Sequence, residues 1–86
     1  MLVETVELKG LDLIKLDAWN NSKIKKVSFM KNLKELDAGD DCAIDQKGIQ
    51  GLDLIKLDVG YNNKIKDVSF MMSLKELYAR RNSGID

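Results

Sequence analysis

The apolar residues of this chain follow one pattern that returns four times, L-x-x-L-x-(A/V)-x-x-(N/D)-x-x-I. It covers Leu13 to Ile24, Leu33 to Ile44, Leu54 to Ile65 and Leu74 to Ile85. The four starts lie 20, 21 and 20 residues apart. Around the fourth and sixth positions the alternation has period two, which predicts a short strand with one buried face. The inward pairs are Leu16 and Ala18, Leu36 and Ala38, Leu57 and Val59, and Leu77 and Ala79. One such segment cannot bury its face alone. Four of them, stacked at the ~4.8 Å spacing of a parallel sheet, seal one another. The layer behind the strands is then closed by Ile24, Val27 and Met30, by Ile44, Ile49 and Leu52, and by Ile65, Val68 and Met71, with Phe29 and Phe70 beside them. The two VSFM stretches are too short for helices and predict single 3-10 turns or extended backbone.

A longer period lies over the short one. Shifted by 41 residues, Leu11–Asp45 falls on Leu52–Asp86 with 22 of 35 positions identical. LDLIKLD, VSFM and LKEL recur whole, which means a recent duplication or a designed sequence. The four in-phase copies resemble the leucine-rich repeat family, and the tails Ile24-KKVSFMKN and Ile65-KDVSFMMS are most similar to its short, internalin-like class. The chain departs from the family pattern at the sixth position, where Ala18, Ala38, Val59 and Ala79 stand in place of leucine, and at Asp41, where asparagine is expected. The resemblance implies an α/β-type leucine-rich-repeat solenoid: a parallel β-sheet on the concave side, extended or 3-10 segments on the convex side, and little true α-helix. Residues 1–86 form a single domain in this reading, with a partial repeat at 1–12 and repeats starting at 13, 33, 54 and 74.

The ninth positions, Asn21, Asp41, Asn62 and Asn82, fall at the corner after each strand. Backbone groups there lose their ladder partners, and an asparagine amide carries both donors and acceptors to replace them. These four residues form the expected structural corner ladder. Asp41, with acceptors only, is its weak point. Asn20-Asn21-Ser22 matches a glycosylation acceptor by chance, so Asn21 reads as structural. Cys42 occupies a slot filled elsewhere by Ser22, Asn63 and Ser83. It reads as a reduced thiol in a small, half-buried corner, with a reactive or intermolecular thiol as the alternative.

Outward positions line the concave face. The third-position row, Lys15, Glu35, Lys56 and Glu76, alternates in charge and fixes register. The fifth-position row is Asp17, Asp37, Asp58 and Tyr78. Its three carboxylates suit a basic partner or a solvated acidic stripe. They supply too few oxygens for calcium, and no metal site is expected. The seventh-position row is Trp19, Gly39, Gly60 and Arg80, beside Asn20, Asp40, Tyr61 and Arg81. Trp19, Tyr61, Tyr78, Arg80 and Arg81 are residue types enriched at binding hot spots, and with Asp17, Asp37 and Asp58 they make up the candidate partner-binding set. Neutral drift at exposed positions would produce the same variation.

Composition narrows the function classes. Fourteen basic and fourteen acidic residues give a net charge of zero, against the basic excess that nucleic acid or an anionic membrane requires. The lysines at 23, 25, 26 and 31 have no aromatic platform among them and read as a solvated face. No apolar run reaches the ~18 residues of a membrane span. There is no histidine, no nucleophile–base pair and no phosphate loop, so neither an enzyme nor a cofactor is expected. The expectation is a non-catalytic module in the cytoplasm that binds a protein or peptide through its concave face. The alternative is a self-associating or engineered building block. In the 41-residue alignment Met1–Gly10 reads as the tail of a preceding repeat, and the Leu74–Ile85 strand is left as an uncapped edge. Such an edge invites a homodimer or higher oligomer.

Overall fold

The computed structural model describes residues 13–40 and 42–79. Within them lie four strands, β1 (Lys15–Asp17), β2 (Glu35–Asp37), β3 (Lys56–Asp58) and β4 (Glu76–Tyr78). They form one parallel sheet in the order β1-β2-β3-β4. The register is the one the spacing requires. Leu16, Leu36, Leu57 and Leu77 lie side by side, with Lys15, Glu35, Lys56 and Glu76 on one flank and Asp17, Asp37, Asp58 and Tyr78 on the other.

Each strand is three residues long, with its central leucine between two outward side chains. Backbone pairing runs past the strands at both ends. Ile14, Lys34 and Ile55 each offer a carbonyl that accepts two successive N–H groups from the following segment, for instance Ile55 and Lys56 on the Lys34 oxygen at 2.8 and 3.1 Å. After the strands, Ala18, Ala38 and Val59 donate to the carbonyls of Asp37, Asp58 and Tyr78.

The core lies behind the sheet. Leu16, Ala18, Leu36, Ala38, Leu57 and Val59 are buried, as are Leu33 and Leu54 from the first pattern position. The rear is closed by Ile24, Val27, Met30, Ile44, Ile49, Leu52, Ile65 and Met71, with Val68 and Phe70 partly buried against them. Phe29 is exposed rather than packed. The Met30 N–H bonds back to the Val27 carbonyl at 2.9 Å, so the turn sends Val27 and Met30 inward and leaves Phe29 at its tip. The last strand also differs from the others. Leu77 and Ala79 are exposed, whereas Leu16 and Ala18 at the other end of the sheet are buried.

Helix is almost absent among these residues. A 3-10 turn, Lys47–Ile49, sits in the segment that departs from VSFM. The VSFM stretches themselves make isolated turns. The expected partial repeat at 1–12, the corner residues Asp41 and Asn82, and Arg80 and Arg81 lie outside the described residues.

Candidate binding surface

The outward side chains of the strands line a groove of about 310 Å³ formed by Lys15, Asp17, Glu35, Asp37, Lys56, Asp58 and Tyr78, together with Leu16 and Leu36. Four carboxylates thus face two ammonium groups. Lys15 and Glu35 approach to 3.9 Å, a solvent-exposed pair that contributes little to stability. Lys56 stands 5.9 Å from the centre of the Tyr78 ring, within cation–π range. The Tyr78 hydroxyl donates to Glu76 Oε1 at 2.9 Å, and that bond to a carboxylate raises the phenol pKa.

The three aspartates also have a structural task. Asp17 Oδ1 accepts the Trp19 N–H at 3.0 Å, Asp37 Oδ1 that of Gly39 at 3.1 Å, and Asp58 Oδ1 that of Gly60 at 3.0 Å. Each carboxylate caps the end of its own strand in an Asx turn. Aspartate recurs at the fifth position for this local reason as well as for the charge it presents.

Beyond the caps the chain turns into the corner through a left-handed residue: Asn20 at φ 58°, Asp40 at 53° and Tyr61 at 63°. Asparagine and aspartate tolerate this region, whereas tyrosine does so at a cost of about 1–2 kcal/mol. Tyr61→Asn is expected to raise the unfolding free energy by about 1 kcal/mol in chemical denaturation. A destabilised variant would show that contacts of the ring outweigh the backbone strain.

Trp19, Tyr61 and Tyr78 are exposed, and Trp19 is half accessible. Gly39 and Gly60, assigned to the same outward row, are instead buried. A Cβ on Gly39 would lie 2.8 Å from the Gly60 carbonyl oxygen, which already accepts the Asp40 N–H at 2.7 Å. Close passage of neighbouring backbones therefore demands glycine here.

At the corners, Asn62 is fully buried. Its amide donates to the Ala38 carbonyl at 2.7 Å and the Ile44 carbonyl at 3.0 Å, lies 3.6 Å from the Cys42 sulfur, and accepts the Lys64 N–H at 2.8 Å. Asn21 is buried, and its oxygen accepts the N–H groups of Lys23 and Ile24. Cys42 is buried, and desolvation pushes its thiol pKa up.

Two bridges escaped the sequence reading. Gln46 donates to the Asp67 carbonyl at 2.6 Å and accepts the N–H groups of Lys66 and Asp67, both at 2.8 Å. Asp53 accepts the Ser73 N–H at 2.9 Å and its hydroxyl at 2.8 Å. Gln46 stands in the segment that departs from the repeat, and Asp53, although it recurs as Asp12 in LDLIKLD, bonds to Ser73, whose place in the preceding unit is taken by Asn32. The Ser73 N–H, and then its hydroxyl, hold the Asp53 carboxyl below the ordinary aspartate pKa. A depressed folded pKa contributes stability above the unfolded value of about 4, lost as pH falls through the folded one. Asp53→Asn is therefore expected to destabilise at neutral pH and to match the wild type in acid. An equal deficit at both pH values would show the charge to be irrelevant.

No protein-family model, curated protein or solved structure matches this chain.

Proposed function

We propose that the chain is a leucine-rich-repeat solenoid and a non-catalytic binding module that takes a basic protein or peptide segment across the outward face of its sheet. The observation that carries this reading is the groove. Strand register sets its walls, carboxylates outnumber ammonium groups four to two, and the exposed Tyr78 ring lines it. Fixed, oppositely charged walls raise the rate and selectivity of encounter with a cationic segment, and the aromatic residues supply contact area at low entropic cost. Tyr61, held in a backbone region that asparagine would occupy more cheaply, is consistent with selection for its side chain.

The solenoid part of the proposal rests on the even spacing of the strands and on polar side chains: Asn62 and Gln46 tie the second segment to the third, and Asp53 ties the lead into β3 to the lead into β4. The non-catalytic part rests on an inventory without histidine and on a single thiol that is buried with its pKa raised. No helix among the described residues is long and apolar enough to cross a membrane. A lone reduced cysteine suits the cytoplasm.

The test uses Trp19, the only tryptophan, as its reporter. Titration with an arginine-rich peptide should change its fluorescence saturably and shift the amide resonances of Asp17, Asp37 and Asp58, with affinity falling as salt rises. A glutamate-rich peptide should do neither. Replacing all three aspartates by asparagine keeps the Asx acceptors while removing the charge, so the fold should persist and binding should vanish. Equal response to both peptides, or none to either, would overturn the reading.

A further inference from the structure

Among the described residues β4 pairs with β3 alone. Leu77 is 38% exposed, whereas Leu36, at the same position on β2, is 3% exposed. Among the described residues β2 is followed by a paired strand and β4 is not. At its inward and register-setting positions β4 repeats β2: Leu33, Glu35, Leu36 and Ala38 return as Leu74, Glu76, Leu77 and Ala79. The strand that β2 accepts is in turn a copy of β1, since Leu52–Asp58 and Leu11–Asp17 are identical. The sequences that meet between β2 and β3 are thus present again on β4 and β1.

We propose that a second copy of this chain adds its β1 to the β4 edge, parallel and in register, so that the sheet continues from one molecule into the next. Charge alternation supports this occupant. The third-position ladder runs Lys15, Glu35, Lys56, Glu76, and Lys15 of the second copy extends it. The backbone bonds follow the β2–β3 junction, where the Lys34 carbonyl accepts Ile55 and Lys56 and the Ala38 N–H donates to Asp58. In the assembly the Lys75 carbonyl accepts Ile14 and Lys15 of the second copy, and Ala79 donates to its Asp17. Leu77 then becomes as buried as Leu36. The contact is heterologous, so mass grows with concentration past two chains, into an open stack or, where curvature closes it, a ring.

Sedimentation velocity over a concentration series tests this. The wild type should show a weight-average mass that rises steadily. Glu76→Lys alone and Lys15→Glu alone should each weaken association about three- to tenfold, since an attractive pair becomes a repulsive one. Mixing the two variants restores opposite charges at every junction and should recover assembly. Leu77→Lys alters a side chain already partly exposed. It should abolish association while the circular dichroism spectrum is kept; if that variant unfolds, the mixing experiment still decides. A wild type that stays monomeric throughout would overturn the proposal. So would a species that saturates at twice the chain mass and ignores Lys15→Glu, since that would indicate two-fold pairing of β4 with itself.

Discussion

Asn62→Ala is expected to lower the unfolding free energy by about 3–5 kcal/mol, read as the shift in a urea denaturation midpoint. The amide is fully buried and satisfies three backbone groups from different parts of the chain: the carbonyls of Ala38 and Ile44, and the N–H of Lys64. Alanine leaves all three without that partner, and each unsatisfied buried polar group costs about 1–3 kcal/mol. A chain of 86 residues has only about 4–13 kcal/mol of stability in total. One side chain therefore decides whether the corner after β3 stays joined to the corner after β2.

Asn62→Asp separates hydrogen bonding from shape. The carboxylate would face two carbonyl oxygens and could donate to neither, so burial and those oxygens raise its folded pKa above the unfolded value of about 4. A raised folded pKa means that the native state holds more protons. Stability is then present in acid and declines as pH rises toward the folded pKa. The aspartate variant should be more stable in mild acid than at neutral pH, while the alanine variant carries no such dependence at this site. A loss below about 1 kcal/mol in Asn62→Ala would mean that water replaces the amide, and the corner would no longer hold the segments together.

The four strands and the corner residues Asn21 and Asn62 were legible because both rest on period. Alternation around a central leucine fixes which side chains turn inward, and a polar residue at constant phase after each strand marks where ladder bonding stops. What stayed hidden was nonperiodic or set by neighbours. Phe29 and Phe70 share a motif position, yet Phe29 is exposed and Phe70 is partly buried, since packing depends on the adjacent segment. Gly39 and Gly60 look like variable surface positions, and only the close approach of two backbones shows why no side chain fits at Gly39. The aspartate row reads as charge alone until its hydrogen bonds to Trp19, Gly39 and Gly60 appear. The candidate surface was therefore legible in its composition, and less so in how its residues also hold the turns beneath them.

Gly48→Ala should destabilise by about 1–3 kcal/mol, although glycine-to-alanine replacement commonly stabilises where the backbone permits it. Gly48 is buried in the 3-10 turn, and a Cβ there would collide with the carbonyl oxygen of Lys25 in the preceding segment. The obstacle is backbone, which cannot swing aside as a side-chain end can. It is also held in place, because the Gly48 carbonyl accepts the Val27 N–H at 2.9 Å, and Asp45 takes the Gly48 N–H on its carboxylate at 2.9 Å. Relieving the clash would stretch the bond that ties this turn to the Val27–Met30 turn and would move Ile49, which is fully buried. Gly51, at φ 85° in open surroundings, provides the contrast. Gly51→Asn, which tolerates left-handed backbone, should change stability little. Thermal denaturation of both variants decides the matter: equal melting temperatures would mean that the two segments are not in contact at Gly48.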